Sequence, residues 1–215
     1  MEDFIKGLYI VATPIGNLDD ISFRAKKVLN IADIIICENP THSLKLLNKF
    51  GIKKKLYSLH DYNEEKIIKR IEKYQKNSCI ALISDAGSPL ISDPGYKLVQ
   101  NYIERNLMVT TIPGPSSIIS AIQLSGLPSQ NFLFLGFLPK SQSLINSFID
   151  RVKELDSTSV IFVSGMKIIK FLERLIDKKI SRQLSICKEM TKRNENVFRG
   201  NPNEIILLLN SKPGN

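Results

Sequence analysis

Residues 83–95 read ISDAGSPLISDPG, and this stretch is the most informative part of the chain about its fold. The apolar run at 79–83 passes directly into a loop with two Asp, two Gly and two Pro, and a helical pattern follows. Such a loop exposes carboxylates and bare backbone at the carboxyl end of a strand, where open α/β sheets bind ligands. Loops of the same character follow apolar runs at 12–20 (ATPIGNLDD) and 111–117 (TIPGPSS). Together the three loops predict one shared small-molecule pocket.

The size and composition are those of a globular protein. With 215 residues, 43% hydrophobic and 24% charged, the chain is expected to form one large domain or two of about 100 residues each. No apolar run approaches the roughly 20 residues that cross a bilayer. The opening MEDFIK lacks the charged start and apolar core of a signal peptide. We therefore expect a cytoplasmic protein without a membrane segment.

The cysteines predict buried thiols and no metal site. Cys37, Cys79 and Cys187 are odd in number, lie far apart and form no CxxC pair. Cys37 and Cys79 fall in apolar runs, which favours free thiols inside a core.

The net charge of +9 leaves two interpretations open. An excess of this size favours polyanionic partners through phosphate contacts. A composition rich in Lys, Ile and Asn gives the same excess without any such partner.

Apolar runs and helical patterns alternate along the first half. Runs typical of strands lie at 7–12, 34–37, 55–58, 79–83 and 109–112, and helical spacing recurs at 21–32, 43–50, 64–76 and 94–105. This alternation predicts an α/β fold with a mostly parallel sheet covered on both faces. Asp93, followed by Pro94, is expected to cap the helix at 94–105.

The GLPSQ stretch at 126–130 breaks the pattern and predicts a boundary between two α/β domains, 1–125 and 126–215. In the second, helices are expected at 144–155, 168–176 and 202–210, and strands at 131–136, 159–163 and 184–188, with an extended piece at 197–200. The chain ends on a helix and a turn-like SKPGN tail, so we expect the natural protein to continue.

Several enzyme classes lack their motifs here. There is no GxGxxG dinucleotide fingerprint and no GxxxxGK[ST] phosphate loop. There is also no GxSxG nucleophile elbow, which argues against a serine hydrolase.

The loops resemble a known family. Residues 8–22, 84–96 and 112–117, with SGLP at 125–128, FLGFLP at 134–139 and KEMTK at 188–192, are similar to the class III, tetrapyrrole-methylase-like methyltransferases, in the branch that modifies small-subunit ribosomal RNA. The resemblance implies two α/β domains with S-adenosylmethionine in the cleft between them, and a homodimer. It also implies methylation of a cytidine ribose 2′-hydroxyl in 16S rRNA, free or in the small ribosomal subunit, near the decoding centre.

The resemblance places cofactor contacts on the loops of the first domain: Pro14, Ile15, Gly16, Asp85, Gly87 and Ser88. A carboxylate at Asp85 accepts hydrogen bonds and favours a sulfonium cation, although an Asp in a turn often only shapes it. Gly87 admits a ligand close to backbone, and Ser88 can donate, with turn chemistry as the alternative explanation for both.

Further cofactor contacts are implied beyond the third loop. Ser117 and Ile118 begin a helix whose N–H groups suit the methionine carboxylate, although a serine there also caps the helix. Phe162, Val163 and Met190 are candidates for adenine contacts, and each is equally compatible with ordinary core.

The resemblance is weakest where a proton acceptor is expected. The family usually has Glu-Asp-Thr-Arg-His where residues 38–42 read ENPTH, and Tyr-Glu-Ser-Pro-His-Arg where residues 162–167 read FVSGMK. A ribose hydroxyl needs a group that takes its proton, and Glu38 or His42 is expected to be that group. Two alternatives remain: a methylase of a tetrapyrrole or other small molecule, and a degenerate protein that binds cofactor or RNA without turnover.

Overall fold

The computed structural model describes residues 5–211, which fall into two compact units divided between Ser116 and Ser117. The division comes earlier than the boundary predicted after Ser125. The helix α5 (Ser117–Ser125) belongs to the second unit because its buried Ile118 and Ile122 pack against Val160 there. The SKPGN tail lies almost entirely outside the described residues.

The first unit alternates strands and helices as the sequence predicts. In chain order its elements are β1 (Gly7–Val11), α1 (Phe23–Ile31), β2 (Ile34–Cys37), α2 (Pro40–Lys49), β3 (Lys55–Ser58), α3 (Glu64–Gln75), β4 (Cys79–Ile83), α4 (Tyr96–Glu104) and β5 (Val109–Ile112). The five strands form one parallel sheet in the order β3-β2-β4-β1-β5. All residues of β2 and of β4 are buried, as expected for strands covered on both faces.

Each face of this sheet has its own apolar cluster. Because side chains alternate along a strand, Ile35 and Cys37 of β2 point into one cluster while Ile34 and Ile36 point into the other. The first cluster contains the buried apolar residues of α1 and α2, and the second contains those of α3 and α4. The helices that follow β1 and β2 therefore cover one face, and the helix that follows β4 covers the opposite face.

This arrangement opens the carboxyl edge of the sheet at β4. The strand pairs with β1 on one side and β2 on the other, yet its connection runs to the opposite face from theirs. Neighbouring connections that leave to opposite faces form a crevice at the strand ends, and open α/β sheets bind ligands in such crevices. A ligand site is therefore expected among the residues just after β1, β2 and β4.

The second unit contains two small strand pairs. After α5 come β6 (Phe132–Phe137), α6 (Gln142–Lys153), β7 (Thr158–Phe162), α7 (Ile168–Asp177), β8 (Leu184–Lys188), β9 (Asn196–Gly200) and α8 (Pro202–Ser211). Strands β6 and β7 are parallel, whereas β8 and β9 form an antiparallel pair. Within residues 5–211, no helix has the length and apolar character that crossing a membrane requires.

The prediction that Asp93 caps α4 was wrong. The helix begins at Tyr96, its N-cap position is Gly95, and Asp93 stays in the preceding loop. The cap comes from a distant part of the sequence: the buried carboxylate of Glu64 on α3 accepts hydrogen bonds from the backbone N–H groups of Gly95 and Leu98. Because Glu64 satisfies these donors, Asp93 is not needed for capping.

The central position of β4 predicts that the same substitution, Ile→Ala, lowers the free energy of unfolding much more in β4 than at an exposed helix site. Ile80→Ala, in fully buried β4, should lower the free energy of unfolding by about 2–5 kcal/mol, because it leaves a cavity between packed elements. Ile103→Ala, at a site 61% exposed on α4, should change it by about 0.5 kcal/mol or less. Urea unfolding followed by circular dichroism measures both, and equal losses would contradict the placement of β4.

Candidate functional site

A backbone bridge joins the loop after β1 to the loop after β4. The N–H of Thr13 donates to the carbonyl of Gly87 at 2.8 Å, and the N–H of Gly87 donates back to the carbonyl of Thr13 at 3.0 Å. The buried Thr13 hydroxyl also donates to the Ser84 carbonyl at 3.3 Å. Two of the three loops singled out in the sequence are therefore fixed to each other at the crevice.

The glycine in this bridge is required by geometry. Gly87 has a φ of +82°, and a Cβ at this position would lie 3.2 Å from Cγ2 of Ile15. The structure therefore brings Gly87 and Ile15 together, as the prediction of a shared pocket requires. Pro14 is buried beside Ile15, and Gly16 is exposed.

The third loop joins the same group through Ser88. Its hydroxyl donates to the carbonyl of Pro115 at 3.3 Å. This contact ties the loop after β4 to the loop after β5, so the Ser88 side chain has a structural partner of its own.

Asp85 links the β4 loop to the start of α2. Its Oδ1 accepts a hydrogen bond from the backbone N–H of Asn39 at 3.2 Å. Asn39 in turn caps α2, with its side-chain oxygen accepting from the N–H groups of Thr41 and His42. His42 is exposed in the first turn of this helix, and its imidazole has no role that the structure defines.

Three carboxyl groups influence one another at this edge. Burial and repulsion from Asp85 raise the pKa of Glu38. Burial, then repulsion from Glu38 and Asp85, raises the pKa of Asp93 from 3.8 to about 6, against the opposing effect of a hydrogen bond from Ser84. We call Glu38, Asp85 and Asp93 the acidic edge. Its negative potential favours a cationic ligand.

His60 lies beside the acidic edge. Its electrostatic effect lowers the pKa of Glu38, and its Nε2 lies 2.8 Å from the Ser58 hydroxyl, which donates to the Glu38 carbonyl at 2.9 Å. The ring stacks on Tyr62 with centroids 5.3 Å apart, and Tyr62 is 88% exposed.

The candidates of the second unit lie in or near its apolar clusters. Ile118 is buried and packs in one cluster with Phe162, whose ring lies edge-on to Phe134 with centroids 4.9 Å apart. Val163 packs against the larger core. Ser117 is the first residue of α5, and Met190 is half-buried in the turn after β8. The cofactor roles of these five residues stay predictions.

Sequence reasoning missed three residues at the edge: Thr13, His60 and Asp93. The sequence predicts a helix cap at Asp93 and no role for Thr13 or His60. Their common signal is position, since each lies in a loop that follows a parallel strand. Among residues 5–211, no group of three or more His, Cys, Asp and Glu side chains has an arrangement that could hold a metal ion.

The comparisons with known proteins define the class. Residues 7–206 match the model of the tetrapyrrole (corrin/porphyrin) methylases, so the chain belongs to this family. Relatives named ribosomal RNA small subunit methyltransferase I agree with the resemblance seen in the sequence. The protein of that name from Thermotoga maritima is 40% identical over 200 residues, covering 93% of this chain and 90% of the relative. The one from Rickettsia prowazekii is 42% identical over 205 residues, covering 93% and 72%.

Solved structures confirm the predicted fold class. A crystal structure of diphthine synthase superposes with a TM-score of 0.70 at 20% identity, covering 97% of this chain and 85% of that chain. Uroporphyrin-III-C-methyltransferase from Thermus thermophilus superposes with a TM-score of 0.62 at 16% identity, covering 97% and 90%. At these identities the likeness shows the fold alone.

The raised pKa of Asp93 predicts that its amide variant is more stable. The folded state keeps this proton at pH values where the unfolded chain has lost it, so the contribution of Asp93 to stability falls as pH rises from about 4 to 6. Asp93→Asn should therefore raise the free energy of unfolding at pH 8 by about 1–2 kcal/mol, with solvent screening allowed for. The gain should disappear near pH 4.

Urea unfolding between pH 4 and pH 8 measures this difference. Asp177→Asn is the control, because this exposed side chain on α7 forms a surface ion pair with Arg174. A gain at Asp93 that did not depend on pH would contradict the electrostatic origin.

Proposed function

We propose that this protein is an S-adenosylmethionine-dependent methyltransferase of small-subunit ribosomal RNA. In this proposal it methylates the ribose 2′-hydroxyl of a cytidine in 16S rRNA near the decoding centre, in the cytoplasm and as a homodimer. The names of its relatives support the substrate. The structural observation that carries the proposal is the acidic edge at β4. There the connections that follow neighbouring strands leave to opposite faces of the sheet.

The residues at this edge fit the cofactor in charge and in shape. S-adenosylmethionine supplies a methyl group on a positively charged sulfur, and carboxylates at Glu38, Asp85 and Asp93 favour a cation there. Gly87 leaves backbone uncovered beside Ile15, which suits close approach of a ligand. In our proposal Asp85 holds the cofactor, with Pro14, Ile15, Gly16, Gly87 and Ser88 around it.

The acidic edge also contains groups suited to accept a proton. The 2′-hydroxyl loses its proton as the methyl group arrives, and a base whose pKa lies near the working pH is most effective. Burial raises the pKa of Glu38, and Asp93 reaches about 6. We therefore favour Glu38 or Asp93 as acceptor, with His42 kept as the alternative.

An RNA substrate agrees with the charge of the whole chain. The net charge of +9 favours phosphate contacts, whereas the acidic edge repels them. In the proposal, basic surfaces elsewhere hold the RNA backbone, and only the target nucleotide, splayed out of its helix, reaches the acidic edge.

The direct test is methylation of an unmodified 16S rRNA transcript and of small ribosomal subunits, with a labelled methyl donor. We expect label in RNA and, after digestion, 2′-O-methylcytidine in the nucleoside mass spectrum. Resistance of one phosphodiester bond to alkaline cleavage should locate the nucleotide, because the blocked 2′-hydroxyl cannot attack it.

Two results would overturn the substrate assignment. Label in a tetrapyrrole but not in either RNA would favour the small-molecule methylase. Cofactor binding without label in any substrate would favour a protein that keeps the fold and lacks turnover. Sedimentation equilibrium tests the homodimer separately.

The charge of Asp85 predicts that its removal weakens the binding of S-adenosylmethionine more than that of S-adenosylhomocysteine. Asp85→Asn should weaken S-adenosylmethionine binding about tenfold, roughly 1.4 kcal/mol, because an attraction to the sulfonium is removed. S-adenosylhomocysteine has a neutral sulfur, so its affinity should fall less. Titration calorimetry on both ligands measures this, with the surface variant Asp150→Asn as control. Unchanged binding of both would exclude Asp85 from the site.

A further inference from the structure

Glu64 is a buried carboxylate whose hydrogen bonds cross between two helices. It lies in the first turn of α3 and is 4% exposed. Its Oε1 accepts from the N–H of Gly95 at 3.1 Å, and its Oε2 accepts from the N–H of Leu98 at 3.2 Å. A buried carboxylate is unfavourable unless such bonds satisfy it. The start of α4 offers both unpaired N–H groups and the positive end of the helix dipole.

The segment that Glu64 holds does not adopt its shape easily. Leu90 has a φ of +74° and Ser92 a φ of +68°, in the left-handed region that side chains disfavour. Gly95 has a φ of +126°, and a Cβ there would lie 2.9 Å from Leu82 and from Leu90. Strained backbone of this kind persists only where surrounding contacts hold it.

The loop between β4 and α4 is therefore fixed at both ends by different contacts. The Thr13–Gly87 bridge and the Asn39–Asp85 hydrogen bond fix its first part. Glu64 fixes its last residue, Gly95. Asp93 lies two positions before Gly95, next to the part of the loop that Glu64 fixes.

We propose that Glu64 is a positioning residue for the methyl-transfer site: by capping α4 from α3, it holds the segment 88–95 so that Asp93 faces Glu38 and Asp85. This inference rests on the proposed function for its consequence in catalysis. The placement of Asp93 is a property of the protein alone and is measurable without substrate.

The matched variants are neighbours in sequence. Glu64→Gln keeps the size and one acceptor but removes the charge and replaces one acceptor oxygen with an NH₂ group. Glu65→Gln makes the same change at an exposed residue whose partner is Lys97 on the surface. Ile71→Val, on a fully buried residue of the same helix, removes one methyl group from the core, leaves both Glu64 hydrogen bonds in place and controls for stability.

The first measurement follows the titration of the Asp93 carboxyl by carbon NMR. Glu38 after β2 and Asp85 after β4 act on the Asp93 carboxyl electrostatically, and Ser84 donates a hydrogen bond to it. In Glu64→Gln the loosened segment should expose Asp93 to water and move it away from these carboxylates. The midpoint of the Asp93 titration should therefore move from about pH 6 towards 3.8. Glu65→Gln and Ile71→Val should leave the midpoint unchanged. An unmoved midpoint in Glu64→Gln would overturn the proposal.

The second measurement is S-adenosylmethionine affinity by calorimetry. Glu64→Gln should weaken binding about tenfold, whereas Ile71→Val should bind like wild type even where its melting temperature falls as far. Equal weakening in both variants would assign the effect to stability and overturn the positioning role. If wild type does not bind the cofactor, the proposed function fails, while the Asp93 titration still decides whether Glu64 positions the loop.

Should Glu64→Gln fail to fold, Glu64→Asp replaces it, because the shorter side chain keeps the charge but cannot reach both N–H groups. The same two measurements apply, with the same displaced midpoint expected and the same unmoved midpoint contradicting the proposal.

Discussion

The position of β4 between β1 and β2 is the constraint on which the candidate site depends. Parallel pairing on both sides fixes where the strand ends. Its helix packs on the opposite face from those of its neighbours, so the connection must leave the sheet between theirs. Residues after all three strands then meet at one edge. Thr13, Glu38 and Asp85 are distant in sequence, and this pairing places them together.

The acidic edge places carboxyl groups of like charge close together, which is electrostatically unfavourable. Burial is the main cause of the raised pKa of Glu38 and of Asp93, and repulsion between the carboxylates at the acidic edge adds to it. Pairing between β2 and β4 holds the chain just before Glu38 and Asp85 at neighbouring strand ends, whereas Asp93 is held there by its loop. Functional sites commonly contain such unfavourable arrangements, held by the stability of the rest of the fold. A cationic ligand would relieve the repulsion, which is why the edge favours one.

Sequence reasoning recovered what local pattern determines. The strands β2 to β5 lie where the sequence predicts them, and the signal is strongest for β2 and β4, because a strand buried on both faces is apolar throughout. It failed where a distant residue replaces a local one. Asp93 before Pro94 has the pattern of a cap, but Glu64 on α3 caps the helix instead. Likewise, helix α5 follows the first sheet in sequence yet packs in the second unit through Ile118. Contacts between separate elements leave no local signal.

The structure also accounts for one departure from the family's usual sequence. Where the resemblance leads one to expect Asp, this chain has Asn39. The amide oxygen caps α2 by accepting from Thr41 and His42 as a carboxylate would, and the backbone N–H still donates to Asp85. An Asp here would add a further negative charge beside Asp85, Glu38 and Asp93. Asn39 therefore preserves the helix start and lowers the repulsion at the acidic edge, so this departure is compatible with a functional cofactor site.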